Sequence, residues 1–307
     1  MTKEISIIKI LLAFSSIYFI WGSTYLAILY AIESIPPFFM MGIRSVSAGL
    51  VLYVWSTIRD REKVKREQIP SLITIGTSFF LICHGLLAWA EQRIPSGLAA
   101  LLIASLPLWM ATIELFVRSD FKLGNRGKTG LLFGFAGIAL LILPRGFFGI
   151  EQLDILGLSA ILLGSLAWAG ASVYSRSAAL PSSPLLTAGM ELLFGGILLL
   201  TVAIVTGEHE TFRIEAISAR SIFSLGYLVI FGSVIAFTSF IWLLRVTTAT
   251  RVSTYAFVNP VVAVFLGWLF AGESMGVLTV VSTVIIVISI YLILVDRSKS
   301  QVVSTSS

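Results

Sequence analysis

Long apolar stretches, separated by short polar segments, run through the whole chain. A helix needs about 20 apolar residues to cross roughly 30 Å of hydrocarbon, and ten stretches approach or exceed that length. The predicted spans are residues 10–32, 36–57, 69–90, 94–117, 129–144, 155–175, 184–206, 221–244, 252–272 and 274–295. The pattern predicts an all-α integral membrane protein with ten transmembrane helices.

The basic residues of the loops predict the orientation of these spans, because cytoplasmic loops collect Lys and Arg. When ten spans alternate in direction, one side receives only four of the 21 Lys and Arg residues, namely Arg93, Arg145, Arg213 and Arg220. Arg44 lies inside a span, and the other 16 face the opposite side. We therefore expect a multi-pass protein of the bacterial inner (plasma) membrane, with the N-terminus (1–9) and the C-terminal tail (296–307) both cytoplasmic.

Composition agrees with a membrane location. Of the 307 residues, 57% are hydrophobic and 12% are charged, whereas soluble domains are about one quarter charged. A soluble enzyme is therefore excluded. The net charge of +5 reflects topology, so no nucleic-acid partner is expected. One cysteine and one intramembrane histidine hold no metal site, and we expect no cofactor.

The two halves of the chain resemble each other. A shift of 147 residues places Trp21 on Trp168, Pro37 on Pro184 and Gly49 on Gly196, and a shift of 153 places Trp89 on Trp242, Pro107 on Pro260 and Asp120 on Glu273. We predict two five-helix repeats, 10–143 and 155–295, joined by an external linker, 144–154. Because five is odd, the second repeat is inverted, as in many secondary transporters.

The segment from Tyr255 to Glu273 resembles the ninth helix of the EamA family in the drug/metabolite transporter superfamily, and its partner is Leu98 to Asp120. The segments that begin at Trp21 and Leu166 are similar to the family pattern in helices one and six. The resemblance covers residues 10–142 and 155–294 and implies an exporter of small molecules. The first copy departs from the family at its end, where Arg118-Ser-Asp replaces Gly-Glu.

Two prolines mark a candidate substrate cavity. Pro107 and Pro260 each leave a backbone carbonyl unpaired near mid-span, which is tolerated where the helix faces protein or water. Asn259 and Tyr255, one turn apart, share the face beside Pro260. We predict that this face lines a cavity; the alternative is a kink packed against a neighbouring helix.

Aromatic residues on the symmetry-related helices one and six are further candidates for the cavity lining: Trp21 with Tyr25, and Trp168 with Ser172. His84 is the intramembrane histidine, and it either carries a proton, binds an anionic substrate or serves as a packing residue.

Arg44 and Glu191 are intramembrane charges of opposite sign, related by the 147-residue shift. Such charges are costly unless they face the bundle interior or a partner. We predict a gating or coupling role, with an ion pair between them as one hypothesis and separate local contacts as the other.

Together these features predict a secondary transporter that exports amino acids or similar small metabolites by alternating access. The runner-up is a proton-coupled, broad-specificity drug exporter, and the distant alternative is an intramembrane enzyme, for which the spans offer no nucleophile motif or acid pair. Expected partners are the lipid bilayer, a small-molecule substrate and, as a candidate coupling ion, the proton. The chain is expected as a monomer or, through close packing at Gly130 and Gly134, a homodimer.

Overall fold

The computed structural model describes residues 7–117, 124–142, 154–247, 252, 254–273 and 276–305, and these ranges are almost entirely helical. The long helices are α1 Ile7–Ala31, α2 Pro37–Arg59, α3 Arg66–Glu91, α4 Ser96–Val117, α5 Asn125–Ile142, α6 Ile155–Tyr174, α7 Pro184–Val205, α8 Ala219–Val246, α9 Tyr255–Ala271 and α10 Val277–Thr305. A short α-helix, Glu208–Thr211, and a short 3-10 helix, Ile214–Ala216, lie between α7 and α8.

Seven of the described helices, α1 to α4 and α6 to α8, are long and apolar enough to cross a membrane. Shorter apolar stretches, Val258–Ala271 and Val280–Ile293, lie within α9 and α10. Large apolar side chains such as Phe116 (87% exposed) and Val205 (80% exposed) cover the outer surface. Such a surface requires an apolar surrounding, and the prediction of an all-helical membrane protein is confirmed.

The predicted terminal and linker segments are only partly described. The N-terminal segment 1–9 is described from Ile7 onward, and of the linker 144–154 only Asp154 is described. The predicted tail 296–307 continues α10 as far as Thr305. No Gly or Pro interrupts this polar stretch, so nothing in the sequence ends the helix where the apolar residues end.

Helices α2 and α7 form one of the most extensive contacts of the bundle, and glycines allow their close approach. A Cβ atom at Gly196 would lie 2.8 Å from the backbone nitrogen of Val46, and one at Gly49 would lie 2.9 Å from that of Leu193. These distances are too short for a Cβ, so glycine is required on both helices. The pair α5 and α10 makes a second extensive contact.

Three helices depart from regular α geometry near the centre of the bundle. Residues Ser16–Ile20 of α1, Thr77–Gly85 of α3 and Leu228–Phe237 of α8 are π-helical. The last two segments overlap when shifted by 153 residues. A turn at Ala104 and Ser105 interrupts α4 just before Pro107, whereas α9 runs through Pro260 without a break. These irregularities free backbone groups and reorient side chains where the functional site lies.

Candidate functional site

A small cavity of about 50 Å³ lies between the first and second halves of the sequence, at the centre of α1, α2, α3, α4, α6 and α9. It has room for a few water molecules, well below the roughly 300 Å³ of a typical ligand pocket. It is lined by Trp21, Thr24, Tyr25, Ile28, Arg44, Cys83, His84, Leu87, Ile103, Leu106, Trp168, Tyr255 and Asn259.

Aromatic rings form one wall of this central cavity. The Trp21 ring meets that of Trp168 edge to face, with centroids 6.0 Å apart, and that of Tyr255 at 5.2 Å. The indole nitrogen of Trp21 donates to the carbonyl of Gly232, 3.1 Å away in the π-helical segment of α8. Trp21 and Trp168, which are related by the 147-residue shift, thus meet at the centre of the molecule. Their ring positions are fixed by contacts from both halves.

Arg44 places a guanidinium group at the cavity, although the residue is only 2% exposed. Its Nε donates to the hydroxyl of Ser233 at 2.9 Å, and one terminal nitrogen lies 3.6 Å from the sulfur of Met41. In the described part of the chain, no ion pair with a carboxylate involves Arg44. Gly232 makes room for the other terminal nitrogen, because a Cβ there would lie 3.0 Å from it. The guanidinium therefore keeps donor capacity for a ligand.

His84 lies beside this group in the π-helical segment of α3. Its ring packs against Trp168, with centroids 5.4 Å apart, and against Phe80 at 5.3 Å. Its buried Nδ1 has no hydrogen-bond partner among the described residues. An imidazole with an unused nitrogen at a small cavity is suited to bind a ligand or a water molecule.

Asn259 connects α9 to the irregular part of α1. With its nitrogen oriented toward acceptors, the amide donates to the carbonyls of Ile17 at 3.1 Å and Tyr18 at 2.9 Å. Both carbonyls belong to the π-helical segment of α1, where the backbone hydrogen bonds are rearranged. Asn259 therefore satisfies backbone groups as well as lining the cavity.

The remaining predicted residues lie away from the cavity surface. Pro107 and Pro260 are next to the lining residues Leu106 and Asn259 but do not line the cavity themselves. The hydroxyl of Ser172 donates to the carbonyl of Trp168 in its own helix, at 2.8 Å. The side chain of Ser172 is thereby used for a local hydrogen bond.

Glu191 lines a second cavity, of about 310 Å³, together with Thr187, Arg176 and Arg245. Arg245 donates to the carbonyl of Pro181 at 3.1 Å and to the hydroxyl of Thr187 at 3.3 Å. Arg44 and Glu191 thus line separate cavities in this conformation, each with its own neighbours. The hypothesis of an ion pair between them concerns another conformation.

Glu273 has a structural function that the sequence interpretation missed. Its carboxylate accepts hydrogen bonds from the backbone N–H of Ser96 at 2.7 Å, from the Ser96 hydroxyl at 2.7 Å and from the N–H of Gly97 at 2.9 Å. It therefore caps the start of α4 and stabilises the helix dipole. Gly272 ends α9 with a left-handed φ of 66°, which turns Glu273 toward α4. Asp120, its counterpart in the first half, lies outside the described residues.

Within the described ranges, no three His, Cys, Asp or Glu side chains lie close enough to hold a metal ion. A bundle of apolar helices with polar and aromatic side chains around a central cavity defines a multi-pass membrane protein, and membrane transporters have such an architecture.

Comparison with known proteins identifies the family to which this chain belongs. The family model of the EamA-like transporter family matches residues 7–143 and again residues 155–295. The chain belongs to this family, whose name indicates transport rather than catalysis.

Individual relatives support the assignment. The chain is 32% identical to YedA of Escherichia coli (strain K12), an uncharacterized inner membrane transporter, over 93% of this chain and 90% of that one. It is 24% identical to the uncharacterized transporter YoaV of Bacillus subtilis (strain 168), over 93% and 96% of the two chains. A crystal structure of a protein with 20% identity superposes with a TM-score of 0.67, covering 94% of this chain and 98% of the other. This last likeness concerns the fold, and the relatives support a multi-pass inner-membrane transporter.

Proposed function

We propose that the protein is a secondary transporter that exports amino acids or similar small metabolites by alternating access through the central cavity. The observation that carries this proposal is the guanidinium of Arg44, which lines the central cavity and has no carboxylate partner among the described residues. A guanidinium binds a carboxylate through paired, charge-assisted hydrogen bonds. The faces of Trp21 and Tyr255 offer sites for an ammonium group through cation–π attraction.

The volume of the cavity supports an occluded state. At about 50 Å³ it is too small for an amino acid side chain and its backbone groups, so binding requires one wall to open. The small volume and the single fixed cation favour small carboxylates over bulky drugs.

Alternating access follows from the inverted-repeat arrangement of ten spans that we propose, with repeats at 10–143 and 155–295. Two features support this arrangement. The corresponding helices α2 and α7, and likewise α5 and α10, pack on each other, and the π-helical segments of α3 and α8 match. Exchange of the conformations of the two repeats then opens the cavity to the opposite side.

The proposed path enters from the cytoplasm. The second cavity, which Glu191 and Arg245 line, also involves Arg176 of the α6–α7 connection, on the side that carries most Lys and Arg residues. We assign it as the vestibule between the cytoplasm and the central cavity, with both termini on the same side.

Transport assays with the purified protein in sealed lipid vesicles test the proposal. We expect saturable exchange of labelled members of an amino acid mixture. Arg44→Gln should lower the exchange rate at limiting substrate roughly tenfold or more, because a charge-assisted hydrogen bond is lost. Arg213→Gln, which removes an exposed arginine, is the matched control and should exchange normally.

Two outcomes would contradict the proposal in different ways. Unchanged exchange by Arg44→Gln would show that Arg44 does not anchor the substrate. No exchange of any amino acid by the wild-type protein would reject amino acids as the substrate class.

A further inference from the structure

Glu91, at the end of α3, is a buried carboxyl group to which no described residue donates a hydrogen bond. It is 2% exposed, and neither Oε1 nor Oε2 has a hydrogen-bond donor among the described residues. Two other carboxyl groups of the bundle are satisfied: Glu114 pairs with Arg176 at 2.9 Å, and Glu273 accepts three hydrogen bonds at the start of α4. The packing of the bundle therefore does not explain why a carboxyl group is buried at this position.

Glu91 lies next to the central cavity. Leu87, which lines the cavity, is one α-helical turn before Glu91 and on the same face of α3. The charged and titratable groups near it come from several elements. They are Arg44 of α2, Tyr25 of α1 and Glu273 after α9. The next residues at this end, Arg93 and Asp154, pair with each other at 3.3 Å near the start of α6.

Burial without donors disfavours the ionised form of a carboxylate, because no group replaces the water that it loses. The neighbouring carboxylate of Glu273 adds repulsion, and Arg44 supplies attraction, although no ion pair joins Arg44 to Glu91 in the described part of the chain. A bound proton removes the negative charge of Glu91, and a cationic ligand beside the carboxylate would compensate the same charge.

We propose that Glu91 is a proton-binding site that exchanges its proton for the ammonium group of the substrate. This inference rests on the proposed transport function and makes that function a proton antiport. With the carboxylate of the substrate on Arg44, its ammonium group displaces the proton of Glu91, and the proton leaves to the cytoplasm while the cavity is open there. After release of the substrate on the other side, Glu91 takes up a proton from that side.

Proton and substrate therefore compete for one group. The competition couples export of one substrate molecule to entry of one proton, because the empty carboxylate is costly in the occluded state. An acidic exterior then drives export.

Vesicle experiments with a labelled amino acid mixture separate coupling from transport. With the membrane potential clamped, a gradient of one pH unit should sustain a concentration ratio of about tenfold in the wild-type protein. Glu91→Gln should show counterflow of labelled against unlabelled amino acids at a higher half-saturating concentration, since its amide carbonyl accepts a hydrogen bond from the ammonium group but carries no charge, and should lose the response to the pH gradient. Glu91→Asp should retain the response, and so should Glu114→Gln, the matched buried control.

The outcomes distinguish the two proposals. Wild-type counterflow without any response to the pH gradient, or a Glu91→Gln variant that responds like the wild type, would overturn the role of Glu91 and leave the transport function intact. Absence of wild-type counterflow would overturn the proposed transport function, and the role of Glu91 with it.

A second measurement does not depend on the folding of Glu91→Gln. Infrared difference spectra of the wild-type protein, recorded on addition of the amino acid mixture at constant pH, should show loss of a neutral carboxyl band. The band should persist in Glu114→Gln and shift in Glu91→Asp. A wild-type spectrum without such a band would contradict the proton site.

Discussion

Arg44 determines the chemistry of the central cavity because the residues around it leave its terminal nitrogens incompletely paired. The hydroxyl of Ser233 accepts a hydrogen bond from the Nε of Arg44, and Gly232 leaves space beside one terminal nitrogen of the guanidinium. Both residues lie in the π-helical segment of α8, which therefore shapes the site from outside the cavity lining. The guanidinium of Arg44 is therefore fixed in position, while its terminal N–H groups keep donor capacity for a ligand.

Gly232→Ala should weaken substrate binding. The added methyl group would lie 3.0 Å from a terminal nitrogen of Arg44 and 3.1 Å from Thr24, so the guanidinium must move. We expect a several-fold increase of the half-saturating substrate concentration in vesicle exchange, with little change in thermal stability. Gly226→Ala, in the same helix and with nothing within 4 Å, should behave like the wild type. Equal effects of the two variants would contradict the role of Gly232.

Asp154 should make the stability of the protein depend on pH. The N–H of Gly157 donates to its carboxylate at 2.9 Å, and this hydrogen bond, together with Arg93, lowers the pKa of Asp154 below its ordinary value of 3.8. A lowered folded-state pKa stabilises the fold above 3.8, and the contribution disappears as the pH falls through the folded-state pKa. The thermal midpoint in detergent should therefore fall less on acidification in Asp154→Asn, which keeps a capping oxygen at every pH. An identical pH dependence in both proteins would refute the assignment.

Several residues that the sequence singles out lie together in the structure, although their role in transport stays a prediction. Trp21, Tyr25, His84, Trp168, Tyr255 and Asn259 all line the central cavity, because aromatic and amide groups at mid-span are suited to the protein interior. Nothing in the sequence pattern around Glu91 or Gly232 indicated that these two residues are important. Glu91 stands at a predicted span end, where charges are ordinary, and the importance of Gly232 depends on a π-helical segment that hydropathy does not reveal.

At the scale of elements, the apolar stretches predicted the positions of the helices well, because hydrocarbon thickness determines their length. The expected span 69–90 is the helix Arg66–Glu91, and the expected span 184–206 is Pro184–Val205. Internal irregularities were harder to predict. Pro107 follows a break in α4 whereas Pro260 does not break α9, and the apolar pattern around the two prolines does not reveal this difference.

Gly196→Ala should destabilise the contact between α2 and α7. Its Cβ would lie 2.8 Å from the backbone nitrogen of Val46, and two packed helices cannot yield without loss of contacts. We expect a loss of about 1–3 kcal/mol in unfolding free energy, measured by denaturant titration in detergent. Gly170→Ala, with nothing within 4 Å, is the control and should stabilise α6 by up to about 1 kcal/mol. A stabilised Gly196→Ala variant would show that the helices are less tightly packed.

At the scale of the whole molecule, the central cavity, the second cavity and the helix pairs α2–α7 and α5–α10 are consistent with one transport pathway. The family assignment and the relatives named as transporters support a membrane transporter, and we propose that the central cavity is where its substrate binds. Hydropathy could not predict the small volume of the cavity, since Trp21, Trp168 and Tyr255 pack there on one another across the two halves. The central claim is that this cavity opens alternately to each side.

Cys83 tests that claim most directly, because it is the one cysteine of the chain and lines the cavity. A small membrane-impermeant thiol reagent should modify Cys83 from either face of sealed vesicles, at a rate that the amino acid mixture lowers, and Cys83→Ala should remain unlabelled. Modification from one face only, or from neither face without denaturation, would contradict alternating access through the central cavity.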